Sequence, residues 1–125
     1  MDLNSALARR PVVCVLMRYY LPGYKAGGPV RSVANMIEAL GEDFDFRVIC
    51  LDRDHMEDAP YEGAVPGLWQ QVGKASVRYV AVHAARPWVL LRLIRTLQPD
   101  LVYLNSFFDP VFSAPVLWMW RLGWL

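Results

Sequence analysis

The chain has 125 residues, 55% of them hydrophobic and 20% charged, enough to bury one core and too few for two full-sized domains. Thirteen basic residues against twelve acidic ones leave a formal charge of +1, so no global field recruits nucleic acid or an anionic membrane. The single domain therefore spans residues 1–125, with a polar, flexible start over 1–10 and no secretory leader in it.

Residues 12–17 (VVCVLM) form a continuous apolar run, the pattern of a strand covered on both faces of a parallel sheet. The segment 22–40, PGYKAGGPVRSVANMIEAL, follows it. Val30, Val33, Ala34, Ile37 and Leu40 recur at helical spacing, Pro29 suits the first helical turn, and Gly41 is placed to end the helix. Strand, glycine turn and helix in this order build a ligand-facing crevice in doubly wound domains. Glycine lets backbone approach a ligand, and the helix start offers free N–H donors. Gly27 and Gly28 are the first candidates for such contact, and Arg31, one turn into the helix, could add a charge.

Residues 46–51 (FRVICL) predict a second strand, followed by the polar loop DRDHMED, which in a parallel sheet shares an edge with the glycine turn. Asp52, Asp54, His55, Glu57 and Asp58 match no calcium-loop or zinc spacing, so the loop is expected to be solvated and no metal is assigned. Asp52 at the strand end also suggests a nucleotide-binding alternative, but the three-glycine dinucleotide fingerprint and the phosphate-loop signature are missing. Cys14 and Cys50 lie in the first two strands and read as buried free thiols of a reducing cytosol.

Residues 61–73 show no clear period and predict an irregular excursion. A third strand is expected at 77–82 (VRYVAV), with His83 after it bonding a local carbonyl. A helix starts near Pro87 on the stripe Val89, Leu90, Leu93, Ile94 and Leu97 and stops before Pro99, and a fourth strand covers 100–105 (DLVYLN). Polar Asn105 and Ser106 then fall at a strand end, where ligands of such sheets sit. The expected fold is α/β, a Rossmann-like parallel sheet of about four strands flanked by helices.

The tail 107–125 is dense in aromatics, but Asp109, Pro110, Pro115 and Arg121 interrupt it as a membrane span. A helix over roughly 113–122 is the better reading, with Trp118, Trp120 and Trp124 too many for so small a body to cover. The chain reads as unfinished at its C-terminus.

The run YYLPGYKAGGPVRSVANMIEALGEDFDFRVICLDRD, an irregular stretch and then LIRTLQPDLVYLNSFFDP resembles the N-terminal domain of a family 4 glycosyltransferase of the GT-B type. In that family a P-x-x-G-G turn precedes the first helix, an L-x-x-L-G-H-x-V segment ends it, and P-D-V-V-H-x-H forms a later strand. The likeness runs from about Val12 to the end of the chain. It implies one half of a GT-B architecture, an acceptor-binding domain facing a second domain that holds a nucleotide-sugar donor, with no further cofactor. The sugar acceptor and donor would then meet Gly27, Gly28, Arg31, Asn105 and Ser106. A separate donor-binding domain could dock on Trp118, Trp120 and Trp124. Tyr103 and Asn105 stand where the family often has its histidine pair, and asparagine orients a hydroxyl but does not shuttle a proton. No catalytic residue is assigned. The resemblance implies a cytoplasmic enzyme, in contact with the inner membrane face peripherally at most. The alternative is a stand-alone Rossmann-like module that binds a small anion or a protein.

Overall fold

The computed structural model describes residues 9–105 and 109–123. Strands β1 (Val12–Leu16), β2 (Asp45–Leu51), β3 (Trp69–Val72), β4 (Ala75–Val80) and β5 (Leu101–Leu104) form one sheet in the order β3-β4-β2-β1-β5. Helices α1 (Gly28–Leu40), α2 (Pro87–Leu97) and α3 (Ala114–Arg121) flank it. The pairs β1–β2, β1–β5 and β2–β4 are parallel, and β3 alone runs antiparallel to its neighbour β4. This is the α/β, Rossmann-like arrangement expected from the apolar runs.

Alternation along the strands explains the two-sided core. Val13, Val15 and Met17 join Val48, Cys50, Val77 and the α1 residues Val30, Val33 and Ile37 on one face. On the other, Cys14, Leu16, Ile49 and Leu51 pack with Leu90 and Ile94 of α2 and Val116 of α3. Cys14 and Cys50 therefore belong to opposite faces, and both are free and buried. Burial pushes the Cys14 thiol up to about 12, which keeps it protonated and inert.

The stretch 61–73 is not wholly irregular, which corrects the four-strand expectation. Its end, Trp69–Val72, pairs with β4 through a two-residue turn in which Gly73 takes φ 59, the conformation a tight hairpin needs. Glutamines at 70 and 71 in a four-residue edge strand leave little apolar alternation to read. The third parallel strand also begins earlier than expected, at Ala75.

Gly41 caps the end of α1, but it is glycine for a different reason from the usual left-handed turn. Its φ is −68, within reach of any residue, but a Cβ there would lie 2.6 Å from the Ile37 carbonyl oxygen, so the site lacks room. Helix α2 instead ends in a left-handed residue, Gln98 at φ 51, whose N–H bonds the Ile94 carbonyl. Among the described residues no helix is long and apolar enough to cross a membrane.

Candidate functional site

The chain leaves β1 toward β2 on one side and returns to β5 on the other, so the strand order reverses between β1 and β5. Open α/β sheets form their ligand crevice beyond the strand ends at such a switch point. A cleft of about 330 Å³ lies there. Leu16, Met17, Arg18 and Tyr19 line it from the end of β1, Ala26, Pro29 and Val30 from the start of α1, and Asn105 from the end of β5. Lys25, His55, Asp109, Phe112 and Ser113 complete the wall.

Helix α1 opens on this cleft without a side-chain cap and with no acidic residue in its first turn. The first N–H groups of any helix lack intrahelical partners, and with the positive end of the dipole they favour an electron-rich ligand atom. Gly27, at φ 83 and ψ −141, occupies backbone space that side-chain-bearing residues rarely enter, and this bend is what turns the loop into the helix. Gly28 carries no such demand, and a Cβ on it would meet nothing within 4 Å. Both glycines are exposed and lie between the lining residues Ala26 and Pro29 rather than in the lining itself. Arg31 is exposed outside the lining. Asn105 lines the cleft, and Ser106 lies outside the described residues, as does Trp124.

The loop between β1 and α1 is held from below. Asp54 accepts hydrogen bonds from the backbone N–H groups of Tyr24 (3.0 Å), Lys25 (3.2 Å) and His55 (2.8 Å). Burial works to raise its carboxyl, but those N–H donors and the Lys25 charge outweigh it and hold the group below the usual carboxylate range. Tyr61 donates its hydroxyl to the Tyr20 carbonyl at 3.1 Å, and Tyr79 donates to the Leu21 carbonyl at 2.6 Å. Burial pushes both phenols up, so they remain donors at any ordinary pH. Gly23 makes room for this brace, since a Cβ there would collide with the Tyr61 hydroxyl and approach an Asp54 carboxylate oxygen to 2.9 Å.

The loop after β2 is only in part the solvated polar segment expected: His55, Met56, Glu57 and Asp58 are exposed, but its first residues are not. Asp52 and Asp54 are only 2% and 7% exposed. Asp52 accepts from the Arg53 Nε at 2.9 Å, and its burial keeps the carboxylate away from a ribose hydroxyl. His55 is exposed, packs edge-on against Tyr19 with ring centroids 5.2 Å apart, and helps wall the cleft. His83 is also exposed but lies outside the lining.

Arg18 and Asp109 are the residues that motif reading passed over. The guanidinium donates through Nε to Oδ2 at 2.9 Å and through Nη2 to Oδ1 at 3.0 Å. The same Oδ1 also accepts from the backbone N–H groups of Val111 and Phe112, both at 2.9 Å. Burial would raise the Asp109 carboxyl, and the Arg18 guanidinium with these N–H donors reverses that, holding it below the usual range. Arg18 also lies over the Phe112 ring, 5.5 Å from its centroid. The only advance signal was an arginine directly after an apolar strand.

Chemically, the cleft combines hydrogen-bond donors at a helix start, an amide at a strand end and an arginine whose charge is matched. It can bind and orient an oxygen-rich ligand. No known protein family, curated protein or solved structure matches the chain.

Proposed function

We propose that this chain is the acceptor-binding domain of a sugar-transfer enzyme of the GT-B type, working with a second domain that brings a nucleotide-sugar donor. The observation that carries the reading is the cleft at the reversal between β1 and β5, opened by an uncapped helix start directly after the Gly27 bend. That is where such a domain would present an acceptor to a facing partner. The chain's own contribution is binding and orientation. Asn105 and Arg18 can hold hydroxyl groups, and neither can act as a proton shuttle near neutral pH. The setting would be the cytoplasm, with at most peripheral contact with the inner membrane face.

A second reading is favoured by the other apolar surface. Trp118 and Trp120 are 71% and 70% exposed, and Trp120 lines a groove of about 770 Å³ between α2, α3 and β5. Exposed apolar area of this kind marks interfaces. In the first reading it receives the donor-binding domain, and in the second the chain is a stand-alone interaction module.

The test is sugar transfer from a panel of labelled nucleotide sugars, with this chain alone and together with a donor-binding domain of the GT-B type. The proposal expects label in an acceptor only when both are present. No transfer with any donor would reject it.

A further inference from the structure

Ser113 sits at the N-cap of α3, where a serine ordinarily accepts a hydrogen bond from a backbone N–H of the first turn. Here it makes no side-chain cap, with backbone angles φ −135 and ψ −54. The residue is 1% exposed, and its Oγ has no hydrogen-bond partner among the described residues. A buried hydroxyl without a partner is uncommon in folded proteins and destabilising where nothing compensates it. Ser113 nevertheless lines the cleft, as Arg18 and Asp109 do, and its backbone N–H bonds the Asp109 carbonyl at 3.3 Å.

Arg18 offers a second unused group. Its Nε and Nη2 are engaged by Asp109, which leaves Nη1 with two N–H donors and no acceptor among the described residues. The bidentate pairing also cancels the charge locally, and Lys25 is similarly matched by Glu57. Two hydrogen-bonding groups held rigidly on a charge-neutral wall suit neighbouring hydroxyl groups better than an anion, which would need surplus positive charge.

We propose that Ser113 Oγ and Arg18 Nη1 form a subsite for adjacent hydroxyl groups of a neutral saccharide. One ligand oxygen accepts from Nη1, and the neighbouring hydroxyl exchanges a hydrogen bond with Oγ. This subsite rests on the reading of the chain as an acceptor-binding domain and names which part of the acceptor it holds.

The test measures affinity of the chain for methyl glycosides of glucose, galactose, mannose and N-acetylglucosamine, with inorganic phosphate as the anionic comparison, for the parent and for Ser113→Ala and Arg18→Lys. The expected result is binding of at least one glycoside, weakened about fivefold or more by Ser113→Ala, the usual effect of losing one neutral hydrogen bond. The melting temperature of Ser113→Ala should equal or exceed the parent's, because the hydroxyl it removes has no partner among the described residues. Arg18→Lys should weaken the same glycoside, since an ammonium cannot hold Asp109 and a ligand in one planar fork. Unchanged affinity in Ser113→Ala, a Ser113→Ala protein that melts lower or fails to fold, binding of phosphate alone, or binding of nothing would each overturn the subsite. Sugar transfer that is indifferent to Ser113→Ala would sink the subsite alone. A Ser113-dependent glycoside site without any transfer would sink the functional reading alone.

Discussion

Arg18 and Asp109 are 91 residues apart in sequence and meet in a two-pronged ion pair with contacts of 2.9 Å and 3.0 Å. The pair ties the end of β1 to the segment that leads into α3, so the cleft wall and the second core face depend on each other. Asp109→Ala leaves the guanidinium and two backbone N–H groups without their acceptor and should cost about 2–3 kcal/mol of unfolding free energy. A double-mutant cycle with Arg18→Ala, read by urea denaturation, should show coupling of about 1 kcal/mol or more. Additive losses would mean that the pair does not hold the wall.

Asp54 plays the corresponding part under the glycine loop. Asp54→Ala removes the acceptor of three backbone N–H groups, those of Tyr24, Lys25 and His55, and should destabilise by about 1–3 kcal/mol. Amide exchange should accelerate first at Tyr24 and Lys25. Exchange unchanged at those two positions would show that the loop is held by something else.

The two glycines of the turn should behave differently. Gly27→Ala forces a side chain into φ 83 and should cost about 1–3 kcal/mol, while Gly28→Ala adds a Cβ in open space within the first helical turn and should be neutral or stabilising by up to about 1 kcal/mol. Thermal denaturation of both variants decides it. Equal losses would mean that the bend is not where the φ value puts it.

Acid should weaken the fold through Asp54 and Asp109, whose carboxyls are both held below their ordinary values. A depressed native value means that the unfolded chain binds the proton more readily, so stability is fully present above the unfolded value of about 3.9 and is lost as pH falls through the native ones. Urea midpoints should therefore be flat from pH 7 to about 5 and drop below about 4. In Asp109→Asn that acid drop should be shallower, and an identical drop would mean that Asp109 does not contribute to it.

Much of this architecture was legible because its physics is local. A continuous apolar run marks a strand buried on both faces, and Val30, Val33 and Ile37 at helical spacing mark the buried side of α1. The crevice was expected from the succession of strand, glycine turn and helix along the chain, and the strand order of the fold locates it between β1 and β5. What escaped reading depends on long-range contact: Arg18 meets its partner 91 positions away, Gly23 is required by the Tyr61 hydroxyl, and Asp52 and Asp54 look solvated until their partners are known. The hairpin strand β3 was hidden because Gln70 and Gln71 occupy positions where alternation would otherwise show. Of the two glycines read as candidates for ligand contact, only Gly27 takes a backbone conformation that needs glycine.

The most direct measurement is the map of backbone amide shifts when the isotope-labelled chain is titrated with methyl glycosides. Saturable shifts are expected at Val30, Asn105 and Ser113, around the mouth of the cleft, with little change along the β5 groove near Trp120. Shifts confined to that groove, or none at the carboxyl ends of β1 and β5, would contradict the acceptor-binding reading.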